Sequence, residues 1–361
     1  MLPFDMKVGK IVVENGYKAV RYYDGANRAI NGTGGNWKNY SADDVIPAGA
    51  GFIYQTSKDT WSNFYAENNA AMQNVFSNKE FVTSLEANIS ESNANKGWNL
   101  VGNPWLSYYN IHKLNFTAPI TVWNVSNSTY SAYSIIDDDY AIRPNEAFFV
   151  QCPNEENAII GFPIQGRQLT SVIESQNAAR AEQASERKLI DVELSDGELT
   201  DKTRFVMNPQ AKMDYEPTCD ASKFFSMDAA VPQIYTIENG ELRAINERPL
   251  GEGAVQIGII IPQDGTYTIS APRNQFQNIV LVDKETGIES DLTNGSYTFT
   301  ANVGTNDSRF MLRVGETVVT EIADVKQNDV KADRYFNLKG QNITTPTKGV
   351  YVVNGKKVVI K

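Results

Sequence analysis

Histidine is almost absent from this 361-residue chain, which carries one, His112, beside 43 acidic and 33 basic residues. A His-rich metal site is therefore excluded, and there is neither a Gly-x-Ser-x-Gly elbow nor a His-Glu-x-x-His pair to build a hydrolytic centre. His112 follows Tyr108-Tyr109-Asn110-Ile111 and reads as a hydrogen-bonded loop histidine. Cysteine is as scarce. Cys152 and Cys219 are too few for a disulfide framework and read as buried small hydrophobes in different domains. Either would need an imidazole to act as a nucleophile, and one histidine cannot serve both. No apolar run approaches the roughly 18 residues of a membrane span. A basic stripe is missing too: the net charge of -10 argues against nucleic acid, whose phosphates need cations. Nor does the chain open on a basic segment followed by an apolar one, because Met1-Leu2-Pro3-Phe4-Asp5-Met6-Lys7 turns polar at once. No cofactor is implied.

What is present is β structure. With 41% hydrophobic residues a chain of this length can build two or three cores. Asn-Gly, the dipeptide that best accepts positive φ at both positions of a type I′ turn, separates strand-forming runs at Asn15-Gly16, Asn239-Gly240 and Asn354-Gly355. From Gly265 to Ala271 polar and apolar residues alternate, placing Tyr267, Ile269 and Ala271 on one face. Ile46 to Gln55 and Ile142 to Gln151 both read as a Pro-led turn feeding a strand that ends in Gln, a degenerate internal duplication. Between them Trp98 to Val101 reads as a buried strand arrested by Gly102-Asn103-Pro104, with Gly102 accepting a strained φ. Residues 166–187 are rich in Ala, Glu, Gln and Arg without an apolar stripe, which marks a polar linker. The expected fold is all-β: tandem antiparallel β-sandwich or jelly-roll-like domains over 1–165 and 188–316, then a small Ig-like β module over 317–361.

That terminal module carries a family resemblance. Tyr335-Phe336-Asn337-Leu338 and Gln341-Asn342-Ile343 flank Lys339-Gly340. Pro346-Thr347-Lys348-Gly349 then turns into Val350-Tyr351-Val352-Val353-Asn354-Gly355-Lys356-Lys357-Val358. The run resembles the C-terminal sorting domain of Bacteroidetes proteins exported by the type IX secretion system, with Tyr335, Leu338, Gly340, Gln341, Pro346, Lys348, Gly349, Tyr351, Asn354, Gly355, Lys356 and Lys357 as its motif residues. Lys96-Gly97-Trp98-Asn99-Leu100-Val101-Gly102-Asn103-Pro104-Trp105 is similar to a motif common in surface proteins of the same phylum. The resemblance implies recognition by the type IX machinery and a secreted or outer-membrane-attached destination. It also implies that Met1 is not the natural start, since such cargo carries an N-terminal signal peptide.

Few residues suggest chemistry. Asp137-Asp138-Asp139 is the densest carboxylate cluster. Hard oxygen ligands of this kind can hold Ca²⁺, but the spacing of a calcium loop is missing and a solvated acidic turn is favoured. Trp37, Tyr40, Trp61, Phe64, Tyr65, Trp105, Tyr108, Tyr109 and Trp123 crowd the first domain. Rings exposed on a β face can stack on sugars. Core packing is favoured for the group, with Trp61 and Trp105 as candidate ligand-facing rings because both sit beside polar or turn residues. The expected role is a non-catalytic region for adhesion, binding or support, with host or glycan ligands as possible partners. The alternative is an accessory, carbohydrate-binding module of a secreted glycosidase or peptidase whose catalytic domain lies upstream.

Overall fold

The computed structural model describes residues 1–13, 17–57, 62–65, 80–173, 187–249, 253–315, 335–337, 342–343, 347–353 and 356–360. The protein is all-β, with the helix Gly25–Asn31 as the α-helix among the described residues. No described helix is long and apolar enough to cross a membrane. The chain divides into two compact units, Met1–Thr317 and Val318–Lys361.

The largest element of the first unit is a rolled sheet. From one edge its strands run Ile288–Asp291, Asn278–Asp283, Gly304–Gly315, Gly253–Ile261, Gln233–Glu238, Glu241–Arg248, Thr200–Met207, Lys188–Ser195, Gly265–Asn274 and Ser296–Ala301, with Ala221–Ser222 paired to Glu241–Arg248. Pairing is antiparallel except between Thr200–Met207 and Glu241–Arg248. The sheet folds over on itself: Phe299 of one edge strand meets Phe310 at 4.8 Å between ring centroids, and both join Leu281, Ile257 and Ile190 in one buried core. As the alternation requires, Tyr267, Ile269 and Ala271 are buried on that core while Thr266 is exposed. At Asn239-Gly240 both φ angles are positive, 51° and 80°, and the flanking strands pair Glu238 with Glu241, which is the expected two-residue turn.

Two smaller sheets pack beside it. One holds Thr129–Tyr133, Ile120–Asn124, Ala147–Gln151 and Trp98–Gly102 in that order, and the other holds Trp37–Asn39, Lys18–Tyr23 and Ile53–Thr56. The two halves of the expected duplication flank the same strand: Ala147–Gln151 pairs with Trp98–Gly102, and Gly51 N–H donates to the Leu100 carbonyl on its other edge (2.8 Å). Asn15-Gly16 itself lies outside the described residues. Val12–Val13 pairs with Ser62–Asn63, and Lys18–Tyr23 with strands Trp37–Asn39 and Ile53–Thr56. Gly102 does not adopt positive φ. It is glycine because a Cβ would lie 2.4 Å from the Met1 side chain and 2.9 Å from the Glu146 carbonyl oxygen.

The segments 1–165 and 188–316, expected as separate domains, lie within one unit. Apolar packing joins them, with Ala132 buried among Leu189, Val206 and Ile245. So does a buried ionic network, described below. Of residues 166–187, those from 174 to 186 lie outside the described residues.

The second unit closes a four-stranded antiparallel sheet in the order Asn342–Ile343, Tyr335–Phe336, Gly349–Val353, Lys356–Ile360. Val353 faces Lys356 across the expected terminal hairpin, and Tyr335 pairs with both Ile343 and Val353. Tyr351 and Val353 are buried, and the Tyr351 hydroxyl accepts from Thr347 N–H (3.1 Å). Lys348 and Lys357 are exposed. Leu338, Gly340, Gln341, Pro346, Asn354 and Gly355 lie outside the described residues.

Candidate functional site

Basic side chains surround the acidic triplet. Asp138 is 6% exposed and accepts from Arg204 Nη1 (2.6 Å) and Nη2 (2.9 Å), from Arg273 Nη1 (2.7 Å) and from Ser134 N–H (2.7 Å). Arg204 also grips Asp191 through Nε (2.6 Å) and Nη2 (2.9 Å). Asp137 takes Arg187 (2.8 Å), which also bonds Glu247. Asp139 lies 2.9 Å from His112 Nε2. Burial opposes ionisation of Asp138, yet the hydrogen bonds and charge of Arg204 hold its carboxyl below the usual range. No group of His, Cys, Asp and Glu suited to a metal occurs among the described residues. The expectation of a solvated acidic turn fits the exposed Asp139 but not Asp138, which arginines from positions 204 and 273 bury.

His112 is spoken for. Its Nδ1 lies 2.6 Å from the Ile135 carbonyl oxygen and its Nε2 faces Asp139, so both nitrogens meet acceptors. The cysteines are free, Cys152 buried and Cys219, expected buried, half-buried. Trp105, expected to face a ligand, is 1% exposed. The cause is Asn103, whose side-chain amide donates to the Ser107 (2.8 Å) and Arg143 (3.0 Å) carbonyls while its oxygen accepts from Trp105 N–H (3.0 Å), folding the turn inward. Trp61 lies outside the described residues.

The site that emerges instead is an aromatic cleft of about 260 Å³. Three parts of the chain build it: the strands and helix around Tyr23, Arg28 and Trp37, strand Thr129–Tyr133 through Tyr130, and the stretch after Ala221–Ser222 through Lys223, Phe224 and Phe225. The rings brace one another, Tyr23 on Trp37 edge-on at 5.4 Å and Tyr130 on Phe224 at 5.5 Å, with Phe149 beneath them, 4.7 Å from Tyr23 and 4.6 Å from Phe224. Tyr130, Phe224, Arg28, Asn36 and Lys223 are buried. Tyr23, Trp37 and Phe225 are half-buried, and Thr33, Gly35 and Met227 form an exposed rim. Burial, and then the neighbouring Tyr23, push the Tyr130 phenol upward, so it stays a neutral donor.

Arg28 is carried by the helix Gly25–Asn31, which starts where the Asp24 carboxylate accepts from Asn27 N–H (2.8 Å) and ends at Gly32 with φ 79°. The helix lies close against strand Trp98–Gly102, because a Cβ on Gly25 would stand 2.0 Å from the Trp98 carbonyl oxygen. The guanidinium packs over Phe224 (4.3 Å) and Trp98 (4.8 Å). Lys223 is paired with Asp201, which also accepts from Ile234 N–H (2.9 Å).

A second, larger cavity of about 620 Å³ opens among the turns at one end of the rolled sheet, near Asp264, Glu285 and Arg309. Its charged groups are mutually satisfied: Arg309 pairs with Asp283 and Glu285, and Asp264 accepts from Val303 N–H (2.7 Å). It has no aromatic wall, which makes the smaller cleft the better-formed site.

A family described as Domain of unknown function (DUF8693) matches residues 103–314, more than half of the chain. The match spans parts of both segments of the first unit and includes one wall of the cleft, Tyr130 with Lys223 to Phe225, while Tyr23, Arg28 and Trp37 precede it. No curated protein and no solved structure matches.

Proposed function

The chain belongs to the DUF8693 family, a premise that brings no activity with it, and we propose a non-catalytic binding region of a secreted or cell-surface protein, with residues 317–361 as its type IX sorting module. The observation that carries the binding half is the cleft: five aromatic side chains around a ring-sized space, the construction that recognises sugar rings by stacking. Its described lining has no carboxylate, thiol or imidazole to act as nucleophile or general acid. Support for the export half is the ordered motif of the terminus and the way Val318–Lys361 closes a sheet from its own strands.

Two experiments test the two halves. On a glycan array, the full chain is expected to bind a subset of glycans and Trp37→Ala to lose them, and an array without Trp37-dependent binding removes the binding reading. Residues 315–361 fused to a periplasm-targeted reporter in a type IX-competent host should carry it to the surface. A reporter retained in the periplasm rejects the sorting reading.

A further inference from the structure

Resting on the binding reading, we infer that the aromatic cleft selects an anionic sugar ring, a monosaccharide terminus bearing a carboxylate or sulfate.

Arg28 carries this assignment. It is 1% exposed, yet no carboxylate pairs with it among the described residues. Its donors go to neutral acceptors: Nη1 to the Tyr23 hydroxyl (3.1 Å), Nη2 to Ser222 Oγ (3.1 Å) and the Ala94 carbonyl (3.4 Å). Its Nε is buried without any partner. Every other strongly buried arginine among the described residues is matched. Arg204 holds Asp138 and Asp191, Arg187 holds Asp137 and Glu247, Arg243 holds Glu241 (3.2 Å), and Arg309 holds Asp283. A chain that neutralises its buried guanidiniums elsewhere leaves one uncompensated on the wall of its aromatic cavity. An uncompensated buried cation is destabilising unless something brings the missing charge.

The neighbouring groups point to the same ligand. The Tyr23 hydroxyl accepts from Arg28 and, at 3.5 Å, from Asn36 Nδ2, so its own proton is left for a further acceptor. Polarised by the guanidinium, that hydroxyl is a strengthened donor to an anion. Lys223, the other cation on the wall, has spent its charge on Asp201, so the net field in the cleft is that of Arg28. The volume of about 260 Å³ falls just below the ~300–1,000 Å³ of drug-sized sites, which suits one ring rather than an extended oligomer. The half-buried Trp37 and Tyr23 are the lining rings left to meet a sugar, while the anion is drawn toward Arg28.

The test is an array on which each uronic-acid, sialic-acid and sulfated glycan is paired with its carboxyl-reduced or desulfated counterpart, probed with the full chain. Acidic members are expected to bind at least tenfold more tightly than their neutral partners, and the preference should shrink as salt is raised. Whether carboxylate or sulfate members dominate identifies the anion. Because Arg28 also anchors Ser222 and Ala94, the informative variant is Tyr23→Phe. It should keep the melting temperature within a few degrees and narrow the acid-to-neutral ratio several-fold. Equal binding of acidic and neutral members, still dependent on Trp37, overturns this inference and leaves the binding reading standing. No binding to either class overturns both.

Discussion

Replacing Asp138 with Asn removes one negative charge from the junction between residues 1–165 and 188–316 while preserving shape and one acceptor oxygen. Breaking a buried pair by deleting one partner costs about 3–5 kcal/mol. Arg204 keeps its two bonds to Asp191, and the Arg273 side chain is 43% exposed and can be solvated, so the low end applies, about 3 kcal/mol. At roughly 2–3 °C per kcal/mol for a unit of this size, thermal unfolding followed by circular dichroism should shift down by about 6–9 °C, in one transition. Because the folded carboxyl sits below its unfolded range, the lost stabilisation is the part present above the unfolded pKa near 4. The variant and the parent should therefore converge as the pH falls through that range and below it. A shift under about 1 °C, or a parent that already melts in two separate steps assignable to the two segments, would refute the claim that the network welds them.

Burial works against ionisation of Asp283, but the Arg309 guanidinium and the Tyr297 hydroxyl hold it down to about 2. Its contribution, about 2 kcal/mol, should be fully present above pH ~4 and fade as the pH falls through about 2, and urea titrations of Asp283→Asn at pH 6 and pH 2.5 should show a clearly larger loss at the higher pH. Burial pushes Asp220 up to about 7 against the opposing charge of Arg243. The unfolded chain releases this proton near pH 4 and the folded chain does not, so stability should decline from there to about 7. The limiting slope is about 1.4 kcal/mol per pH unit, and Asp220→Asn should flatten that slope in the same titrations. Gly25→Ala drives a Cβ against the Trp98 carbonyl oxygen, a backbone atom that cannot step aside. A loss of roughly 1–3 kcal/mol is expected in chemical denaturation, together with loss of glycan binding as the helix bearing Arg28 shifts.

Much of the local structure was legible because its causes are local. Asn239-Gly240 supplies the two positive φ angles that its hairpin needs, and the alternation at Tyr267, Ile269 and Ala271 buries one face of a strand. The pairing of Gly349–Val353 with Lys356–Ile360 is of the same kind. The helix Gly25–Asn31 could have been found from Asp24 as its cap and Gly32 past its end. The strands flanking Asn15-Gly16 have their described partners farther along the chain, Ser62–Asn63 and Ile53–Thr56, which a local turn signal does not carry. What could not be read was long-range. Asp138 meets arginines 66 and 135 positions away, so a run of three carboxylates looked like a solvated turn. Trp105 looked exposed because it follows a Pro turn, whereas Asn103 folds that turn into the core. The cleft joins residues 23 to 227. Its decisive property, an arginine without an acid, is a relation between distant segments that no single stretch carries.

The most direct measurement is a calorimetric titration of the full chain with its best array glycan, run beside Trp37→Ala and Tyr23→Phe at matched folding. We expect binding to one site, weakened at least tenfold by Trp37→Ala and several-fold by Tyr23→Phe, with both variants still folded at the temperature of the titration. Affinity unaltered in both variants would mean that the ligand sits elsewhere and that the cleft is ordinary packing.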